Sequence, residues 1–182
     1  MNFDLIVIGG GSGGVACARR AAEYGAKVAV IESSRVGGTC VMRGCIPKKL
    51  MMYAGELGSA VSQAAAFGWK GLNPAEINHE MQFWTSQKNI EIDRLETIYE
   101  NLLKTSGVQL VKGKALIVGK NEVKVADRTF STKNLVIAVG GAPNLSQIPG
   151  LENALTSDGI LELDRNPAKI GMQQGLTKPE HD

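Results

Sequence analysis

The sequence has little of several features that would mark out whole classes of protein. Only 3 of its 182 residues are cysteine, too few for the disulfide framework of a small secreted domain. Its 20 basic side chains are nearly balanced by 18 acidic ones, so no charge excess points to nucleic acid as a partner. The first apolar run ends at Ile8, far short of the ~20 residues of a membrane span. These absences predict a cytoplasmic protein that binds neither nucleic acid nor a membrane.

Glycine, by contrast, is abundant: 22 of the 182 residues are glycine, about 12% where about 7% is usual. A chain of this length fits one domain, which we expect over residues 1–165. After Asp164 the hydrophobic periodicity fails, and Pro167 and Pro179 interrupt what remains. Residues 166–182 are therefore expected to form a tail that diverges from the rest.

Apolar runs and glycine turns alternate at the start of the chain in the pattern of a βαβ unit. Residues 3–8 and 27–31 are short apolar runs typical of buried parallel strands, with a helix predicted over residues 15–24. The apolar run at residues 134–139 is predicted to return to the same sheet. The expected fold is therefore α/β, with a central parallel sheet and helices.

The middle of the chain predicts two further helices and a small antiparallel meander. One helix is expected over residues 50–66, and a long amphipathic helix should end at Gly107. Four short alternating runs then predict the strands of the meander: residues 108–111, 115–118, 122–126 and 128–131.

The motif Gly9-x-Gly11-x-x-Gly14 follows the first predicted strand and opens the first helix. At such a turn backbone N–H groups and the helix N-terminus face a pyrophosphate, which the missing Cβ atoms allow to come close. Glu32 closes the next strand, where an acid accepts hydrogen bonds from an adenosine ribose and repels a 2′-phosphate. The pattern predicts binding of FAD or NAD rather than NADP, and a glycine-rich surface turn is the alternative.

The most specific string is residues 37–49, Gly-Gly-Thr-Cys-Val-Met-Arg-Gly-Cys-Ile-Pro-Lys-Lys. Zinc requires four ligands, and no histidine stands at a ligand spacing from Cys40 and Cys45, so no metal is expected. On a regular helix these two residues would be ~7.5 Å apart along the axis. A disulfide requires Cα atoms ~4.4–6.8 Å apart, so the segment must be distorted if the two cysteines bridge.

Neighbouring residues make such a distortion plausible. Gly44 frees the backbone, and Pro47 cannot continue a helix by donating to the carbonyl of Arg43. Thiols at a helix N-terminus beside Arg43, Lys48 and Lys49 are expected to have lowered pKa values.

Together the two motifs resemble those of the flavoprotein pyridine nucleotide-disulfide oxidoreductases, most closely the glutathione reductases among them. That family opens with an FAD-binding GxGxxG and carries a redox disulfide in GGTCxxxGCxPxK, so the resemblance implies a Rossmann-like FAD-binding domain. It also implies that Cys40 exchanges with the disulfide substrate, Cys45 contacts the flavin and Lys48 lies near flavin N5. The Pro-Lys-Lys ending resembles members that act on glutathione or trypanothione rather than on lipoamide.

The same resemblance implies a set of binding residues. For FAD the implied positions are Gly9, Gly11, Ser12, Gly13, Gly14, Glu32, Gly38, Thr39, Cys40, Cys45, Lys48, Ala115 and Gly140. For glutathione disulfide the implied positions are Ser12, Arg19 and Tyr99.

The resemblance covers about residues 3–165 and implies a family reaction. Hydride passes from NADPH through FAD to the Cys40–Cys45 disulfide, and thiol exchange then reduces glutathione disulfide. Full-length members are homodimers with a second glycine motif for NADPH, which these residues do not show, so the stretch alone is expected to hold FAD weakly and to be inactive. The alternatives are a related reductase of trypanothione, dihydrolipoamide or a metal ion, and a non-catalytic nucleotide-binding module.

Overall fold

The computed structural model describes residues 2–143 and 150–171, which form helices around one mixed sheet. The strands are β1 Asn2–Ile8, β2 Val28–Glu32, β3 Gln109–Lys112, β4 Ala115–Gly119, β5 Glu122–Val125 and β6 Arg128–Ile137. The helices are α1 Ser12–Glu23, α2 Gly38–Met42, α3 Cys45–Gln63, α4 Met81–Thr105 and α5 Ser157–Ile160. Short 3₁₀ turns lie at Ala64–Phe67, Pro74–Glu76 and Leu151–Asn153. The six strands follow the order β3-β2-β1-β6-β5-β4.

Side chains of the parallel strands alternate between two cores, as the period of a strand requires. In β2, Val28 and Val30 pack on the face covered by α1 and α4, where Leu103 is fully buried. Ala29 and Ile31 point the other way and pack against side chains of β5 and β6. The domain therefore has three layers, namely helices, parallel sheet and meander, which confirms the predicted α/β class.

The prediction for residues 108–111 was wrong in one respect. They were expected in the antiparallel meander, but β3 pairs with β2 in parallel, with Ala29 opposite Gln109 and Glu32 opposite Lys112. A parallel neighbour requires a crossover of a dozen or more residues, and the stretch from α2 to α4 provides one. Leu110 packs into one core and Val111 into the other, which suits a strand covered on both faces.

Residues 128–131 and 134–139 were predicted as two strands, but the structure has one strand here, β6, which ends at Ile137. Thr132 keeps the backbone extended between them, because its N–H donates to the Asn121 carbonyl (2.9 Å) and its hydroxyl donates to the Asn134 carbonyl (2.7 Å). The first part of β6 pairs antiparallel with β5, and the strand also runs parallel to β1. One strand thus joins the meander to the parallel sheet.

The helices begin earlier than the sequence predicts. α1 starts at Ser12, and α3 starts at Cys45 rather than at residue 50, because a proline in the first helical turn has no hydrogen bond to lose. The long amphipathic helix is confirmed as α4. No helix in the described ranges is long and apolar enough to cross a bilayer.

The predicted tail is only partly described. Residues 166–171 contain neither helix nor strand, and residues 172–182 lie outside the described residues. The domain boundary at residue 165 stays a prediction.

Ion pairs hold the connection between β2 and α2 against α4. Arg35 donates to Glu96 and to Asp93, each at 2.6 Å, and the Val36 N–H donates to the second oxygen of Glu96 at 3.1 Å. Burial alone would raise the pKa of Glu96. Hydrogen bonds from Arg35 and Val36, with the charges of Arg35 and Lys112, outweigh it and hold that pKa below its ordinary value of 4.5.

We expect Glu96→Gln to lower the free energy of unfolding by about 1–2 kcal/mol at pH 7, because a partly buried charge-assisted pair is lost. The folded-state pKa of Glu96 is lowered, so its contribution is present above pH 4.5 and declines as the pH falls through the folded value. Urea unfolding at pH 7 and pH 3 measures both effects. Glu91→Gln, in an exposed pair with Arg94, is the control and should change stability by less than about 0.5 kcal/mol. An unfolding difference unchanged between the two pH values would contradict the assignment.

Candidate active site

The glycine-rich loop connects the carboxyl end of β1 to the N-terminus of α1. The Gly9 N–H donates to the Ile31 carbonyl at 2.8 Å, which fixes the loop at the edge of the sheet. A Cβ atom on Gly14 would overlap the carbonyl oxygen of Gly9, so only glycine lets α1 start this close to the loop. Ser12 and Gly13 are exposed, and no side chain in the described structure caps α1. The helix N-terminus is therefore open to an anionic group.

Glu32 ends β2, as predicted, and its carboxylate lies against this loop. One oxygen accepts from the Gly10 N–H at 2.6 Å and the other from the Ser34 N–H at 2.7 Å. Each carboxylate oxygen has a second acceptor position, which leaves room for ribose hydroxyls. The Gly113 N–H donates to the Glu32 carbonyl at 2.8 Å and brings Ala115 to the same end of β2. The predicted adenosine-site residues are thus neighbours.

The chain returns past the glycine loop after β6. The Ala138 N–H donates to the Ile8 carbonyl at 2.8 Å, and the Ala138 carbonyl faces Gly9 so closely that a Cβ there would clash. Gly140 follows, exposed and with a positive φ of 73°. This places Gly140 near the carboxyl end of β1, beside the loop.

The segment that carries the cysteines docks directly on the glycine loop. The Gly37 N–H donates to the Gly10 carbonyl at 2.8 Å, and Gly37 forms an isolated parallel bridge with Gly11. Gly38 and Thr39 then open α2, so Cys40 follows within one turn. The sequence predicted both motifs but not this contact between them.

The helix breaks between the two cysteines, where a bridge would require distortion. α2 ends at Met42, the Arg43 N–H donates to the Thr39 carbonyl at 3.0 Å, and α3 begins at Cys45. Gly44 adopts φ −139° and ψ −113°, and a Cβ there would lie 2.8 Å from the Thr39 oxygen. Both cysteines are present as thiols and are hydrogen-bonding partners, so the bridge itself stays a prediction.

The hydrogen bond with Cys45, together with burial, raises the pKa of the Cys40 thiol. This corrects the expectation of a lowered thiol pKa at that position. Two of the three cations that the expectation counted have other partners: the Arg43 guanidinium lies 3.5 Å from Asp158, and the Lys49 ammonium lies 5.5 Å from the centre of the Tyr53 ring. Cys40 also lies inside the five-residue α2 rather than at the start of a long helix.

Three residues were predicted to line a substrate site. Ser12 is exposed at the start of α1, and Tyr99 is half-buried against the cluster formed by Val41, Met42 and Ile92. Arg19 is seven residues along α1 from Ser12, or ~10 Å. Its Nε donates to the Ser106 hydroxyl at 3.1 Å, so it joins α1 to the end of α4. The structure therefore brings Ser12 and Tyr99 to the cysteine segment and ties Arg19 to another contact.

Sequence reasoning missed a buried lysine. The side chain of Lys88 is 0% exposed, and its ammonium donates to the Leu161 carbonyl at 2.6 Å and to Glu162 at 3.0 Å. A signal was available, because Lys88 stands four residues after Trp84 and four before Ile92, on the apolar side of α4. That position predicts burial rather than a solvated face.

An apolar cavity of about 950 Å³ opens beside α3, away from the cysteine pair along the helix. Residues lining it include Met51, Leu57, Phe83, Trp84, Ile160 and Ile170. His79 also lines it. Within residues 2–143 and 150–171, no three histidine, cysteine or acidic side chains are grouped to hold a metal ion.

Known proteins match this chain over most of its length. Residues 3–172 match the family model described as pyridine nucleotide-disulphide oxidoreductase. A glutathione reductase of Burkholderia cepacia is 43% identical over 174 residues, covering 96% of this chain and 38% of the relative. One from Nostoc sp. is 44% identical, covering 94% and 37%, and a chloroplastic/mitochondrial one from Pisum sativum is 40% identical, covering 96% and 33%.

The chain thus spans well under half the length of the relatives that it matches. The family match nevertheless extends over nearly all of the chain, and it includes both the glycine loop and the cysteine segment. The fold, with a parallel sheet and the glycine turn at the carboxyl end of β1, is of the Rossmann type. The chain belongs to the pyridine nucleotide-disulphide oxidoreductase family.

Proposed function

We propose that the chain supplies the FAD-binding and dithiol portion of a glutathione-disulfide reductase that uses NADPH. The observation that carries the proposal is the Gly11–Gly37 bridge, which holds the Cys40–Cys45 thiol pair beside a dinucleotide loop. The relatives named glutathione reductases, together with the Pro-Lys-Lys ending, favour glutathione disulfide as the substrate.

The described residues fit a dinucleotide. The open N-terminus of α1 suits the pyrophosphate, and Glu32 with Ala115 suits the adenosine. Thr39 and Lys48 are exposed on either side of the helix break, and we assign them to the flavin end. When bound, FAD supplies the two electrons that return a Cys40–Cys45 disulfide to two thiols.

The two thiols divide the exchange chemistry between them. The Cys40 thiolate attacks one sulfur of glutathione disulfide, so the substrate S–S bond breaks, a mixed disulfide forms and one glutathione leaves as a thiolate that takes a proton. The Cys45 thiolate then attacks the Cys40 sulfur and displaces the second glutathione, which leaves a Cys40–Cys45 disulfide. Ser12, Arg19 and Tyr99 are the residues that we assign to the glutathione site.

The raised pKa of Cys40 adds a requirement to this scheme. A thiol that keeps its proton near neutral pH needs a base before it can attack. His79 is exposed and lines the cavity beside α3, and it does not stand in the family's acid/base motif. We therefore assign no base among the described residues.

We expect Gly14→Ala to weaken FAD binding by about tenfold or more, because the added Cβ overlaps the Gly9 carbonyl and moves the loop from the start of α1. A titration of the purified chain with FAD, followed by flavin fluorescence, gives the dissociation constants, and circular dichroism checks the fold. Gly55→Ala is the control, because its Cβ meets no atom within 4 Å. Equal affinity of Gly14→Ala and wild type would argue against the loop as the binding site.

Serine substitutions test the two thiol roles. With FAD bound and the chain reduced, Cys45→Ser should abolish long-wavelength thiolate–flavin absorption, because only the thiolate next to the flavin donates charge to it. Cys40→Ser should preserve or enhance this absorption. Absorption spectra of the two variants measure the difference, and Cys17→Ser, at a partly buried position of α1, is the control. Identical spectra for the Cys40 and Cys45 variants would refute the assignment of roles.

A further inference from the structure

One ion pair joins the helix break between α2 and α3 to a residue 115 positions later in the chain. The Arg43 guanidinium lies 3.5 Å from the Asp158 carboxylate, with side chains 46% and 38% exposed. Arg43 caps the end of α2 and directly precedes Gly44, so it stands at the point where the backbone turns between the two cysteines. Asp158 lies in the first turn of α5. The pair therefore connects the cysteine segment to an element outside it.

The segment that carries Asp158 is itself anchored to the core. Leu161 is buried, and its carbonyl accepts from the buried Lys88 ammonium at 2.6 Å. The Thr85 hydroxyl donates to the Leu163 carbonyl at 2.8 Å. Two residues of α4, one turn apart, thus hold residues 161–163 in place. The segment that follows Asp158 is therefore fixed to α4, and Asp158 contacts Arg43 from this fixed segment.

The residues at the helix break, 43–46, are not buried, although Val41, Met42 and Pro47 on either side of it are. α2 is five residues long, too short to be stable in isolation, and around the break the backbone is held by the Arg43–Thr39 and Lys48–Gly44 hydrogen bonds, each at 3.0 Å. Rotation at Gly44 would carry Cys45 away from Cys40. A tether on the residue next to Gly44 limits that rotation.

We propose that Arg43 and Asp158 are a positioning pair, which holds the break between α2 and α3 so that Cys40 and Cys45 stay in reach of each other for disulfide closure. Lys88 anchors the segment that presents Asp158. This inference rests on the proposed function, because it concerns the ease with which the proposed redox pair opens and closes. Restricting two groups to a reactive geometry raises their effective concentration without any new contact between them.

Equilibrium with glutathione tests the proposal on the chain itself, without cofactor or turnover. Two protein thiols and one glutathione disulfide give one Cys40–Cys45 disulfide and two glutathione thiols. The purified chain is equilibrated in mixtures of reduced and oxidised glutathione at pH 7, quenched by alkylation, and the disulfide fraction is measured by peptide mass spectrometry. The equilibrium constant then reports the effective concentration of the two thiols.

We expect Arg43→Gln and Asp158→Asn each to lower this constant by about two- to fivefold, as the loss of a partly exposed ion pair allows. The double variant should fall no further than either single one, because both remove the same contact. Arg94→Gln, which breaks an exposed pair on α4, is the matched control and should leave the constant unchanged.

Other outcomes separate the possibilities. Constants unchanged in both variants, or additive in the double variant, would overturn the positioning role. Shifts in opposite directions would show that the two charges act on the thiols directly, and would also overturn it. A wild-type chain that forms no Cys40–Cys45 disulfide in any mixture would overturn the proposed function and this inference with it.

The anchor has its own test. Lys88→Met should lower the same constant and should show no further fall when combined with Asp158→Asn, because both act through one segment. Lys104→Met, at an exposed position of the same helix, is the control. A wild-type constant in folded Lys88→Met would refute the anchoring step, and if this variant does not fold, the surface pair of Arg43 and Asp158 still decides the proposal.

Discussion

The approach of two backbones, at Gly10–Gly11 and at Gly37, is the constraint on which the rest of the site depends. The hydrogen bond and the bridge between them bring the cysteine segment to the start of α1, and a Cβ on the next residue, Gly38, would lie 2.6 Å from the Gly11 Cα. Just before this contact, Arg35 and Val36 bind Glu96 of α4. The three residues 35–37 are thus held between the glycine loop and the long helix. These contacts fix the position of the segment that carries the two thiols.

The elements that the sequence predicted well have local signals. The apolar run of β1, the glycine turn and Glu32 at the end of β2 follow from spacing alone, and the apolar period of α4 is long enough to be unambiguous. Strand partners are different, because they depend on what lies between the strands. Residues 109–112 alternate like the meander strands, yet the crossover through α4 places them beside β2. Likewise Thr132 donates hydrogen bonds to the carbonyls of Asn121 and Asn134, which keep β6 continuous. No local sequence pattern predicts these hydrogen bonds.

The candidate site shows the same difference between features with a local sequence signal and features that depend on distant contacts. The break between Cys40 and Cys45 was predictable from Gly44 and Pro47, because backbone freedom and a missing donor are properties of single residues. The Arg43–Asp158 pair spans 115 residues and the Lys88–Leu161 contact spans 73, so neither could be found by spacing. The expectation of a lowered pKa for Cys40 was wrong because it counted the nearby cations, whereas the hydrogen bond with Cys45 and burial raise this pKa.

The direction of the Cys40 pKa shift has a consequence for how a thiol pair works. The hydrogen bond with Cys45 and the burial of Cys40 both favour the protonated form of the Cys40 thiol. Cys40 is partly buried and Cys45 is exposed, so the two sulfurs lie in different surroundings. The proposed roles assign the exchange with the disulfide substrate to Cys40, so this thiol must lose its proton to a base before it attacks. The hydrogen bond that keeps the two sulfurs together thus also opposes formation of the attacking Cys40 thiolate, and the proposed exchange depends on a base close to this sulfur.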